Sequence, residues 1–226
     1  TVVLPGLRAL GVDRLDVVVL SHPHPDHYRG LAPVVEALPV GELWWTGQRS
    51  RDPEFTRMMA ALEAGGARLR TFDPTEPPQA LGGVLVEVLF PRMPPNRDGA
   101  RIHDGLGAND NSLVLRFTYG AFSILMTGDV EHAAEDLLLR SRQDLHATVL
   151  KVPHHGSRTS SSLSFLRAVA PALAVAESAD QGHFAFPNPD VEARYAALGI
   201  PLWITGRLGA IGITSDGSTW DYGSIE

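Results

Sequence analysis

Asp16-Val17-Val18-Val19-Leu20-Ser21-His22-Pro23-His24-Pro25-Asp26-His27 is the stretch that decides the fold. Its first half is a β-branched apolar run that reads as a buried strand. Its second half brings His22, His24, Asp26 and His27 together in the order His-x-His-x-Asp-His. Pro23 and Pro25 disfavour a regular helix or ladder, so a tight extended loop is expected there. Imidazole and carboxylate bind zinc, manganese or iron. A single histidine here would read as an exposed or structural residue. Four potential ligands together at a strand end call for a cation, because uncompensated polar burial is costly.

Working outward, residues 7–11 look like the end of a short helix stopped by Gly11. Helices are expected over 29–38 and 53–65, and strands over 42–45 and 68–72. Strand alternating with helix implies helices laid against a sheet. Residues 73–83 read as a loop, 84–90 as a strand, and 91–109 as a long irregular stretch of the kind that is usually functional. The runs 113–117 and 122–126 flank Tyr119-Gly120 and form a hairpin that leads into Thr127-Gly128-Asp129. Helices over 131–142, 162–169 and 190–198 and strands near 147–152, 172–176, 201–205 and 209–214 complete an α/β pattern. With no repeat and no linker, residues 1–226 are expected to form one domain.

Composition sets the outer bounds. Cysteine is absent, which excludes disulfides, thiolate ligands and a cysteine nucleophile. The net charge of −7 argues against a broad electrostatic footprint for nucleic acid. It does not exclude a phosphate-cutting site, whose positive charge can be carried by metal ions. No apolar run approaches the length of a membrane span. The abrupt start Thr1-Val2-Val3-Leu4 is read as that of a fragment of a larger protein.

Three segments, 22–27, 127–129 and 153–157, follow directly on strands, where α/β folds assemble their sites. His22 and His24 would face one ion and Asp26 and His27 another, with Asp129 as the bridging carboxylate. Helix capping is the competing role for Asp129. From an extended segment His154 and His155 cannot point the same way. One is expected to bind metal, with His154 favoured, and the other to contact substrate or pack. Ser157, Arg158 and Thr159 offer donors suited to a phosphate oxygen, against plain helix capping. His132 and His146 read as surface residues. Trp44 and Trp45 read as core, against base stacking.

The strand with His22-Pro23-His24-Pro25-Asp26-His27, then Thr127-Gly128-Asp129, then a later His, resembles the metallo-β-lactamase superfamily. Asn109-Asp110-Asn111-Ser112-Leu113-Val114-Leu115 and Leu150-Lys151-Val152-Pro153-His154-His155-Gly156-Ser157 narrow the likeness. So do Gly199-Ile200-Pro201, Gly209-Ala210-Ile211 and Ser215-Asp216-Gly217. These stretches are similar to the C-terminal domain of ComEC-type competence proteins. That resemblance implies an αββα sandwich with two divalent metal ions, manganese or zinc. It also implies a nuclease that degrades single-stranded DNA during DNA uptake. The implied partners are that DNA and the transmembrane and OB-fold-like domains of a parent membrane protein, with this chain binding no lipid itself. The implied location is the extracytoplasmic side.

The family's opening Gly-Gln-Gly-Asp-like strand has no counterpart here, so the first strands are expected to be missing. The superfamily's third His falls near Asn109–Asn111, which leaves His103 as a substitute candidate. Phe186 stands where a further His is expected, with His183 nearby. The expected reaction is hydrolysis of a phosphodiester, with Asp26, Asp129 and His155 as catalytic groups beside the ligands. Two alternatives stand: a general metallo-hydrolase of a small ester, lactam or thioester, and a non-catalytic DNA-guiding module.

Overall fold

A computed structural model describes residues 3–72, 76–179 and 186–225. The chain divides into two compact units, Thr1–Pro74 with Pro91–Ala108, and Thr75–Phe90 with Asn109–Glu226.

The first unit runs α1 (Val3–Ala9), β1 (Leu15–Leu20), α2 (Pro25–Tyr28), α3 (Ala32–Ala37), β2 (Val40–Trp45), α4 (Pro53–Ala64) and β3 (Arg68–Arg70). The three strands pair in parallel in the order β1-β2-β3, with Leu20 opposite Trp45 and Trp44 opposite Arg70. Parallel neighbours need crossovers, which the helices supply. α4 buries Phe55, Met58, Met59 and Leu62, a helical spacing. These pack with Val18, Leu20, Leu43, Trp45, Tyr28 and Val35 into one core. Each fully buried side chain of this size contributes about 1.5–3 kcal/mol of transfer free energy. That burial, rather than the short strands, holds the unit together.

The helix expected over 29–38 is shorter than read, running only over Ala32–Ala37 after a turn at 29–31. Pro33 lacks the N–H that a continuous helix would need and would clash with the carbonyl four residues back. The chain therefore starts afresh at α3. Trp44 and Trp45 are core residues as expected: Trp44 stacks edge-on against Phe72 and donates its indole N–H to Glu42.

The second unit contains β4 (Gln79–Leu81), β5 (Val84–Phe90), β6 (Val114–Tyr119), β7 (Phe122–Met126), α5 (His132–Arg140), β8 (Val149–Lys151), a 3-10 turn (Pro153–Gly156), α6 (Leu163–Val169) and β9 (Leu173–Ala176). It continues with α7 (Pro189–Ala197), β10 (Leu202–Ile204), α8 (Thr205–Leu208), β11 (Ala210–Ser215) and β12 (Trp220–Ile225). Its seven-stranded sheet has the order β10-β9-β8-β7-β6-β5-β4. β4 to β7 pair antiparallel, whereas β7 to β10 pair in parallel through the crossovers α5, α6 and α7. The C-terminal ends of β7, β8 and β9 therefore lie side by side. β4 falls inside the expected loop 73–83, and β12, for which no strand is expected, pairs with β11 in a hairpin.

Candidate metal centre

In the first unit the ligand-rich loop follows β1. Asp26 and His27 lie not in an extended loop but on α2, because Pro25 is tolerated at a first helical position and sets its φ in advance. Ser21 organises the cluster. Its Oγ lies 3.2 Å from Nδ1 of His22 and 3.2 Å from Nδ1 of His27. A hydroxyl oxygen has two lone pairs and can accept Nδ1–H from both rings, which leaves each Nε2 as a lone-pair nitrogen. The ring centroid of His22 is 4.6 Å from that of His24 and 4.2 Å from that of His27. His22 is buried, whereas the Asp26 side chain is 62% exposed and 3.8 Å from His27 Nε2. Three clustered imidazoles, two of them oriented from behind by a hydroxyl, have the donor chemistry of a divalent-metal site.

In the second unit the site is built at the ends of β7, β8 and β9, where open α/β sheets place their ligands. Asp129 is 2% exposed and its backbone N–H donates to Ser112 Oγ at 2.9 Å. The helix-capping role that competes for Asp129 is filled from elsewhere. Asp110 Oδ1 accepts the N–H groups of Glu131 and Ala134 at 2.7 and 3.1 Å, at the start of α5. Lys151, the sole lysine of the chain, is buried beside it. Its Nζ donates to the Gly128 carbonyl at 2.9 Å and lies 3.5 Å from Asp129 Oδ1.

His154 and His155 do not sit on an extended segment. Both adopt left-handed backbone, with φ of 46° and 54°, inside the 3-10 turn. Such conformations cost about 1–3 kcal/mol each and persist only where surroundings enforce them. Here His154 N–H donates to Gly128 O, Ser157 N–H to His154 O, and Ser160 Oγ to Pro153 O. The turn cancels the alternation of an extended chain. Nε2 of His154 lies 3.8 Å and Nε2 of His155 lies 3.5 Å from the same Asp129 oxygen, Oδ2. His155 Nδ1 donates to the Glu177 carbonyl at 2.7 Å. His154 Nδ1 is 3.0 Å from Glu131 Oε1. Both outer partners accept, so Nδ1 of each ring is the donor, and Nε2 offers a lone pair when the ring is neutral. Burial disfavours charge on His155, but the facing Asp129 carboxylate outweighs it and raises the imidazole above its ordinary pKa.

Other candidates fall differently. Ser157 Oγ is 2.9 Å from Thr159 Oγ1, which donates to Glu131 Oε1 at 2.6 Å, and the Arg158 side chain is exposed. His103 Nδ1 accepts from Gly105 N–H at 3.3 Å within the loop of the first unit. His183 lies outside the described residues. His132 and His146 are exposed, as expected. Ser21, Glu131 and the Glu177 carbonyl escaped the sequence reading. For Ser21 the signal was there, a hydroxyl one residue from the first ligand. For the other two it was not.

An α/β chain with imidazole–carboxylate clusters at its strand ends has the donor chemistry to hold divalent ions. The chain belongs to the metallo-beta-lactamase superfamily, whose profile matches residues 3–176. It is 36% identical over 212 residues to Competence protein ComA of Neisseria gonorrhoeae, covering 93% of this chain and 27% of that protein. It is 30% identical over 209 residues to the uncharacterized protein YcaI of Escherichia coli, covering 92% and 24%. It is 26% identical over 190 residues to ComE operon protein 3 of Bacillus subtilis, covering 84% and 23%. The likeness to ComEC-type competence proteins read from the motifs is thus borne out. The chain spans about a quarter of the length of the curated relatives it matches. Among solved structures, Igni18, a metallo hydrolase from Ignicoccus hospitalis, aligns with a TM-score of 0.49 at 12% identity, covering 93% of this chain and 80% of that one. Among the described residues no helix is long and apolar enough to cross a membrane.

Proposed function

We propose that the chain is a metal-dependent phosphodiesterase module that cuts single-stranded DNA during competence-linked DNA uptake, as part of a larger membrane protein. The observation that carries the reading is the buried Asp129 carboxylate faced by two imidazoles whose tautomers are both set for donation through Nε2. In this reading His22, His24, Asp26 and His27 serve with Asp129 and one or both of His154 and His155 as donors to two ions, manganese or zinc. One superfamily match runs through both sets of residues, which supports assigning them to one catalytic unit. The competence relative, aligned over nearly the whole chain, supports DNA over a small ester.

Bound divalent ions would supply Lewis acidity, lowering the pKa of water and neutralising charge on the phosphoryl oxygens. The residues do the rest. Lys151 compensates Asp129 on one oxygen and leaves the other to the imidazoles. The exposed Asp26 would orient the incoming water. The imidazole that holds no ion would steady the scissile phosphate, with Arg158 beside it.

The test is cleavage of labelled single-stranded DNA in manganese or zinc by this chain and by Asp129→Asn. Cutting that needs metal and falls by at least about 10²-fold in the variant is the expected result, on the scale of removing one preorganised charged group. A folded chain that binds metal and leaves DNA intact would sink the nuclease reading in favour of a small-substrate hydrolase. A chain that binds no metal would point to a non-catalytic module.

A further inference from the structure

His154 is approached from behind by a chain of groups that ends on a carboxylate. Glu131 stands at the start of α5, its backbone N–H held by Asp110 and its Oε1 3.0 Å from His154 Nδ1. Thr159 Oγ1 donates to the same Oε1 at 2.6 Å. Because the Thr159 proton goes to Glu131, the 2.9 Å contact between Ser157 and Thr159 hydroxyls has Ser157 as donor. Every proton in the relay therefore has a direction: Ser157 to Thr159, Thr159 to Glu131, and His154 Nδ1 to Glu131. A carboxylate has no proton to return, so Nδ1 is the donor and, in the neutral ring, Nε2 carries the lone pair, 3.8 Å from Asp129 Oδ2.

We propose that Glu131 is a positioning residue that acts through His154. It fixes the imidazole in its Nδ1–H tautomer and aims Nε2 at the centre, while Ser157 and Thr159 hold Glu131 in place. This reassigns the two hydroxyls from substrate contact to support of the site. It rests on the reading of His154 as a working group of the proposed centre, and it goes beyond it by naming what makes that group competent. Outer partners of this kind typically change metal affinity or activity by about 10–100-fold.

The same turn provides an internal control. His155 has its Nδ1 held by the Glu177 carbonyl, a backbone group that no side-chain change removes. The experiment uses the whole 226-residue chain, side-chain 15N-labelled at histidine, with Glu131→Ala and Thr159→Val. Long-range 1H–15N spectra report which nitrogen of each ring carries the proton. Expected are a single Nδ1–H tautomer for His154 in the parent, a mixture in Glu131→Ala, a smaller change in Thr159→Val, and no change at His155 in either. DNA cleavage in manganese should fall about 10–100-fold in Glu131→Ala, with no further loss when the substitution is added to His154→Ala. An unaltered His154 tautomer in both variants overturns the proposal, as does a loss of cleavage that persists undiminished in the His154→Ala background. Should Glu131→Ala fail to fold, Thr159→Val still decides through the tautomer. A parent chain that leaves DNA intact overturns the nuclease reading alone, since the spectra are read without substrate.

Discussion

At the scale of single residues, the site depends on a backbone that side chains other than glycine rarely accept. His154 and His155 are followed by Gly156, with φ of 86°. A Cβ built there would lie 2.5 Å from Pro187 Cβ and 2.8 Å from Pro187 Cα, so both the conformation and the space demand glycine. The Gly156 carbonyl also accepts Asn188 N–H at 2.8 Å, and Asn188 caps α7. Gly156→Ala combines left-handed strain of about 1–2 kcal/mol with overpacking of about 1–3 kcal/mol. It should therefore destabilise the chain by about 2–5 kcal/mol, read as a lowered urea midpoint at unchanged slope. A change below about 1 kcal/mol would show that the turn relaxes freely and is not rigidly held. The chemistry of His22, His24, Asp26 and His27 was legible in the sequence because its residues are neighbours there. The turn at 153–156 was not, because consecutive left-handed residues other than glycine have no local preference behind them and are held by the bond from His154 N–H to Gly128, with Ser157 N–H and the Ser160 hydroxyl closing on the turn itself. Glu131 was equally hidden, since its partner His154 lies across two elements.

At the scale of elements, α4 shows how one carboxylate ties a helix start to the loop that carries the ligands. Asp52 caps α4 through the Glu54 N–H at 2.8 Å and accepts the Tyr28 hydroxyl at 2.6 Å and an Arg29 N–H at 3.3 Å. Tyr28 is the last residue of α2, one place after His27. The Tyr28 hydroxyl first, and the Glu54 amide next, hold the Asp52 carboxyl below its ordinary pKa. A folded-state value below the unfolded one means the contribution is present above the ordinary value of about 3.9 and is lost as pH falls through the folded-state value. Asp52→Asn keeps the capping oxygen but does not titrate. The parent should thus lose more urea resistance between pH 7 and pH 3 than the variant does, and equal losses would remove the charge from the account. Elements with long periodic runs, such as α4 and β5, were readable from the sequence. β4 and β12 were not. β4 has only three residues and β12 mixes Trp220 and Tyr222 with Asp221, Gly223 and Ser224, and each pairs with a hairpin partner, β5 or β11, that offers it a ladder. The break between α2 and α3 was written in Pro33, but the apolar spacing around it masked the signal.

At the scale of the whole molecule, two compact units each carry a donor cluster at strand ends, while the superfamily match runs continuously from residue 3 to residue 176. Under the proposed function those clusters belong to a single binding event, and this has a thermodynamic signature. A metal that binds only the folded chain stabilises it by about 2.7 kcal/mol when present at about 100 times its Kd. Zinc at that excess should raise the melting temperature of the parent. Both His27→Ala, in the first unit, and Asp129→Asn, in the second, should lose most of that increment, and the double variant should lose little more than either alone, because contributions to one shared event are not additive. Melting measured with and without zinc, and after treatment with a chelator, decides the matter. Were each single variant to keep about half the increment and the double variant to lose it all, the clusters would be two independent sites, and the common catalytic centre proposed for this chain would have to be given up.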